Sequence, residues 1–236
     1  PEVPEGTEYY LPAGSSYRVT PFALAKGFRL VGSSDGIKPK VILDDWWKIA
    51  EGSYITSLEF ENIEFQHASN NKYFMNADKS FTLESVSFVN CDFIGLTRGF
   101  WRHQQATGKH IMNFEVEGCR FDKCGWQTGS YGLVDLRSFN DPTSYDQIDK
   151  AAFRNCTFSR DNDGTAGFGW GNLFYAPYVD KPIQLEFKNI TIYNYSLNKR
   201  LINISSAVGS ELTIEGMVLA SPSGDLYVAG ANTTTH

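Results

Sequence analysis

The sequence predicts an all-β fold, a right-handed parallel β-helix in which short strands wind into a solenoid of about seven coils with three strands per coil. Three observations predict it. An eight-residue pattern, apolar-x-apolar-x-Asn/Gly-apolar-x-apolar, recurs six times along the chain. A second, shorter apolar-rich segment recurs between successive copies. No long stretch carries the 3.6-residue apolar period of an amphipathic helix.

Taken in chain order, residues 26–32 and 40–43 read as an opening coil. The full pattern then occupies 58–65, 86–93, 114–121, 151–158, 185–192 and 212–219. Its pivots are Asn62, Asn90, Gly118, Asn155, Asn189 and Gly216, spaced 28, 28, 37, 34 and 27 residues apart. A constant motif at irregular spacing means fixed strands joined by loops of varying length. Each half of the motif alternates with period two, the mark of a strand with one buried face. The alternation breaks at the pivot, so a bend is needed there for both halves to face inward. Asn and Gly tolerate the left-handed backbone that makes such a bend, and stacked Asn side chains can bond from coil to coil. The second strand reads as 73–76, 99–102, 133–136, 173–176, 201–204 and 226–229.

Residues 1–8 read as a linker, 9–230 as a single domain and 231–236 as a tail, an arrangement expected of a module within a longer protein. A formal net charge of −6 without a basic stripe argues against nucleic acid as a partner. No apolar run reaches the length of a membrane span. Cys91, Cys119 and Cys156 share the position after the pivot and should stack inside the core, whereas Cys124 has no obvious partner. In-register parallel strands rarely offer disulfide geometry, and no CxxC spacing points to zinc.

The segment Tyr10-Leu11-Pro12-Ala13-Gly14, the strand 26–32 and the Phe-x-Asn-Cys-x-Phe coils at 88–93 and 153–158 resemble the pectate-lyase-like β-helix superfamily. They are similar to β-helix modules of polysaccharide-degrading proteins from Bacteroidetes-type bacteria, among them xylan-binding carbohydrate-binding modules. The resemblance implies a secreted or cell-surface bacterial protein linked to catalytic or other modules, with a polysaccharide as its partner. That superfamily includes lyases, hydrolases, esterases and non-catalytic binding modules, so activity has to be argued from the site.

Strict alternation along the second strand, with Phe74, Phe100, Val134, Phe174 and Ile202 inward, turns Met75, Trp101, Asp135, Tyr175 and Asn203 outward. Two residues beyond that column lie His103 and Arg137. Coils about 4.8 Å apart approximate the rise of an extended polysaccharide. Trp101 and Tyr175 can then stack on sugar rings, helped by Trp126 and Trp170 from Gly-flanked loops. Lys72, Arg98, Arg102, His103, Asp135 and Arg137 are the polar candidates beside them; Asp135 and Arg137 can bond sugar hydroxyls, and Arg137 or His103 can meet a uronate carboxylate. Trp46 and Trp47 are expected to cover the open end of the solenoid.

This column offers one carboxylate, too few for the calcium of a metal-dependent lyase or for the acid pair of a hydrolase. Asp161-Asn162-Asp163-Gly164 has part of a calcium loop but lacks its preceding Asp and distant Glu. The expectation is therefore a non-catalytic module with no cofactor and no catalytic residues, binding a plant cell-wall polymer, xylan first and pectic chains second. The rival reading is a metal-free lyase acting on a uronic-acid glycan, with Arg102 or Arg137 as base and Lys72 or Arg98 neutralising the carboxylate.

Overall fold

The computed structural model describes residues 4–70, 72–104, 108–125, 132–136, 146–159, 172–176, 181–193, 201–204 and 209–220, and the backbone of 196–197, 223–224, 228–230 and 234–235. Among them there is no helix, and every strand pair is parallel. The architecture is all-β and solenoid-like, built on long parallel sheets.

Three sheets carry it, and the chain visits them in turn. The first runs from Thr7–Leu11 and Phe28–Gly32 through Ser53–Glu61, Phe81–Val89, Lys109–Glu117 and Gln147–Arg154 to Gln184–Lys188 and Glu211–Glu215, with Thr234–Thr235 at its far edge. The second begins with Ser16–Val19, Lys40–Leu43 and Glu64–His67 and ends with Val218–Ala220. The third contains Tyr73–Ala77, Gly99–His103, Val134–Asp135, Phe174–Tyr175, Ile202–Ile204 and Val228–Gly230. Ala23–Leu24 and Lys48–Ile49 form a short extra pair, joined to the third sheet by a bridge between Trp47 and Met75.

All six pivots adopt the left-handed conformation, with φ between 50° and 64°. Each of the first five donates its amide to the next repeat, as Asn62 does to Val89 O and Asn90 to Glu117 O. The side chains add a ladder, in which Asn90 Nδ2 donates to Asn62 Oδ1 at 2.8 Å and Asn189 Nδ2 to Asn155 Oδ1 at 3.0 Å. Gly118 leaves a gap in it, and Asn155 Nδ2 turns to Glu117 Oε1 instead.

In-register strands bring identical rings together. Phe60 stacks on Phe88 at 5.0 Å, and Phe65, Phe93, Phe121 and Phe158 form a second column at 4.9–5.5 Å. Such offset contacts add to the apolar area removed from water. Cys91, Cys119 and Cys156 stack beside them as free, buried thiols, and Cys91 N–H points at Cys119 Sγ from 3.3 Å. Burial pushes the Cys156 and Cys124 thiols up to about 12, which leaves them unreactive.

Candidate functional site

The outer faces of the sheets differ in character. On the first sheet, outward charges satisfy one another in exposed pairs, as Arg29 does with Glu8 and Glu61 and Arg154 with Glu186. Such pairs contribute little and read as solvated surface. The third sheet instead concentrates buried polar groups, and its local geometry explains why.

Strict alternation fails there. The amides of Phe100 and Trp101 both donate to Leu133 O, at 2.8 and 3.1 Å, and those of Leu173 and Phe174 both donate to Leu201 O. Sharing one carbonyl between two amides is bulge-like and lets two consecutive residues face the core. Phe74 with Met75, Phe100 with Trp101, Leu133 with Val134, Leu173 with Phe174 and Leu201 with Ile202 all belong to the buried core cluster. The register confirms the shift, because Trp101 pairs with Met75 and Val134, and not with Asp135.

The expectation of an outward Trp101 is therefore corrected. Trp101 is fully buried, with its ring edge-on to Phe114 at 5.3 Å. Met75 is core for the same reason. The residue after each inward pair faces the other way, and these form one in-register row of Asn76, Arg102, Asp135, Tyr175 and Asn203. Asp135 and Asn203, expected to face outward, are buried in this row, Tyr175 is half-buried, and Arg102 takes the register position given to Trp101. Sequence reasoning could have found the shift from the recurrence of two adjacent apolar residues followed by a polar one, a pattern of three that a period of two cannot produce.

His103 is likewise displaced from the expected outward site. It follows the row at the level of the core residues Leu136, Ala176 and Ile204, and it is fully buried. Its ring meets Phe81 edge-on at 5.8 Å, and Nδ1 lies 3.6 Å from Asp146 Oδ2. Asp146 also sits 3.5 Å from the buried Lys109 ammonium and accepts from the Lys109 amide. Burial pulls both His103 and Lys109 below their ordinary values, and Asp146 opposes that in each case.

Around the row the site is cationic and aromatic. Tyr73 lies under two guanidinium groups, Arg98 at 5.6 Å and Arg102 at 5.4 Å from its ring, and Arg102 Nη1 donates to its hydroxyl at 3.4 Å. Burial pushes the Tyr73 hydroxyl above its ordinary range. A Cβ at Gly99 would stand 2.7 Å from the Tyr73 ring, so only glycine admits that ring here. Gly132 does the same for Tyr175, whose Cβ a side chain would meet at 2.8 Å. Lys72 and Arg98 are neighbours, joined by the Arg98 amide to Lys72 O at 3.3 Å. Lys72 also bonds Asp45 at 2.8 Å and lies 4.3 Å above the half-buried Trp46 ring. Burial opposes ionisation of Asp45, but Lys72 and the Trp46 amide hold its carboxyl below the usual range.

Of the site residues expected from the sequence, Lys72, Arg98 and Tyr175 are half-buried, and Trp101, His103 and Asp135 are fully buried. Arg137, Trp126, Trp170 and the segment 161–164 lie outside the described residues. Among the described residues, no three His, Cys, Asp or Glu side chains gather in a way that could hold a metal ion, and no helix is long and apolar enough to cross a membrane. The chain matches no family model and no curated protein.

Proposed function

We propose that the three sheets close into a right-handed parallel β-helix with three strands per coil and about seven coils, and that the chain is a carbohydrate-binding module of the pectate-lyase-like kind. The ligand is an extended plant cell-wall polysaccharide, xylan first and pectic chains second, met in a secreted or cell-surface setting alongside linked modules. One observation carries this reading: Asn76, Arg102, Asp135, Tyr175 and Asn203 form an unbroken in-register row of hydrogen-bonding side chains across the third sheet. Planar amide, guanidinium and carboxylate groups are suited to pairs of sugar hydroxyls, and a spacing of about 4.8 Å presents one such group per coil. Asn76, Arg102, Asp135 and Asn203 are buried and Tyr175 is half-buried, and polar groups are kept at such positions only where hydrogen bonds offset the cost of burial. The half-buried Trp46, Lys72, Arg98 and Tyr175 form the accessible margin by which a chain reaches it.

The second reading is a lyase that β-eliminates a uronic-acid glycan. The pair of arginines over Tyr73 favours it, since a cationic cluster can neutralise a uronate while a neighbouring group takes the C5 proton. A single experiment separates the two. Retention on immobilised xylan, homogalacturonan, alginate and mannan is measured together with the absorbance of unsaturated products, with and without Ca²⁺. Retention without product, lost in Tyr175→Ala, supports the binding module; product on a uronic-acid polymer, lost in Arg102→Lys, overturns it in favour of the lyase.

A further inference from the structure

Where the chain passes from the third sheet to the first, one coil departs from its neighbours. At the level of His103 the other described coils place Ala77, Leu136, Ala176 and Ile204, all of them core. His103 ends Gly99–His103, Lys109 begins Lys109–Glu117 and Asp146 immediately precedes Gln147–Arg154, so the three meet from two sheets and two successive coils. None is more than 1% exposed. Asp146 pairs with Lys109 at 3.5 Å, and at 3.6 Å it stands too far from His103 Nδ1 for a hydrogen bond. Both ring nitrogens of His103 are thus buried without a hydrogen-bond partner among the described residues. An apolar side chain fills this place at lower cost in the neighbouring coils.

The charges decide what the ring can do. While His103 is neutral, the Lys109 ammonium and the Asp146 carboxylate balance one another. A proton on the ring adds a second cation to a site with one carboxylate, walled on another side by the edge-on Phe81 ring. Asp78 acts on Lys109 from the segment after Tyr73–Ala77, and His110 is engaged outside the cluster with Asp149 at 2.9 Å. An uncompensated charge is costly to bury, so the charged ring is stable only where water reaches it. Burial accordingly pulls His103 below its ordinary value, with Asp146 opposing and Lys109 adding to the effect. Two amides report whether this corner is shut, Gln104 bonded to Ala77 O at 2.7 Å and Lys109 bonded to Asp146 at 3.3 Å.

We propose that His103, Lys109 and Asp146 are an acid-sensitive latch between the third and first sheets, shut around the neutral ring and opened when the ring takes up a proton. Arg102 immediately precedes His103 and lies in the polar row, so opening the latch unseats it and releases a bound polymer. The latch stands on its own geometry, and the release of polymer rests on the glycan reading.

Hydrogen exchange of the whole chain tests the latch, with rates corrected for the intrinsic effect of pH. An opened ring titrates near the ordinary value of about 6.5. Between about pH 7.5 and about pH 5.5, exchange at Gln104 and Lys109 should therefore rise about tenfold, while Phe88 and Val116 in the central strands stay unchanged. His103→Leu, which supplies the apolar side chain found in the flanking coil, abolishes the rise, and His110→Gln keeps it. NMR titration of the parent's His103 ring needs no variant, and a ring that charges without faster exchange at these amides overturns the latch. So does an equal rise in His103→Leu, or an equal rise at every amide. Retention on xylan and homogalacturonan at the same two pH values tests the release. Loss in acid from the parent but not from His103→Leu supports it, and equal retention at both values overturns it. A parent that holds neither polymer at neutral pH sinks the glycan reading and the release with it, and exchange alone then decides the latch.

Discussion

The side-chain amides of Asn90 and Asn189 each reach back to the oxygen of the asparagine pivot before them, and at Gly118 this succession is interrupted. Gly118 has φ 62°, a value Asn tolerates, and a Cβ there would meet nothing closer than 3.9 Å. Gly118→Asn places an amide where it can donate to Asn90 Oδ1, and it should raise stability by about 0.5–1 kcal/mol. Gly216→Asn should do the reverse, since its Cβ would stand 2.6 Å from Asn189 Oδ1; denaturant midpoints of the two variants check the contrast. His103 gives a second prediction at this scale. Burial depresses its folded value, with Asp146 opposing and Lys109 adding to the depression. The unfolded chain, with an ordinary histidine near 6.5, therefore binds the proton more readily. The contribution of the neutral ring is fully present above about pH 6.5 and is lost as pH falls through the lower folded value. Thermal midpoints measured from neutral towards acid pH should fall more steeply in the parent than in His103→Leu.

The third sheet is the element on which the function reading turns, and there the consequences of register are testable. Trp101 is core, so Trp101→Ala should cost about 3–5 kcal/mol of stability and lower glycan retention only in proportion to unfolding. Asp135→Asn keeps the shape of the row and removes one charge, so it should weaken polymer retention about tenfold in protein that is still folded by circular dichroism. If Trp101→Ala lost retention while fully folded, the assigned register would be wrong. The same element shows where the sequence is readable. The pivots at 62, 90, 118, 155, 189 and 216 were legible because a left-handed bend restricts residue type, and the core alternation of the first sheet was legible because its strands are long and regular. The facing of 99–103 was not, because a shared carbonyl shifts the face by one residue without changing composition. Tyr73 was missed as a site residue since its role depends on Gly99 and on arginines 25 and 29 positions later, and no local pattern joins them.

For the whole molecule, parallel register sets how stability is distributed. Each repeat touches mainly its neighbours, so stability is a sum of local terms and nearest-neighbour interfaces. Phe81–Val89 and Lys109–Glu117 are each paired on both edges over eight and seven or more residues and sit beside the longest ring stacks. Among the described residues, Thr7–Leu11 has one partner strand and a largely exposed face. Opening the end should thus require far less free energy than opening the middle, and hydrogen exchange reads that difference directly. Amides of Phe81–Val89 and Lys109–Glu117 should be the slowest in the chain, and those of Thr7–Leu11 at least about a hundredfold faster, a gap of about 2.8 kcal/mol. Equal protection from end to middle would mean that the sheets open as one cooperative unit, and the nearest-neighbour description would then have to be abandoned.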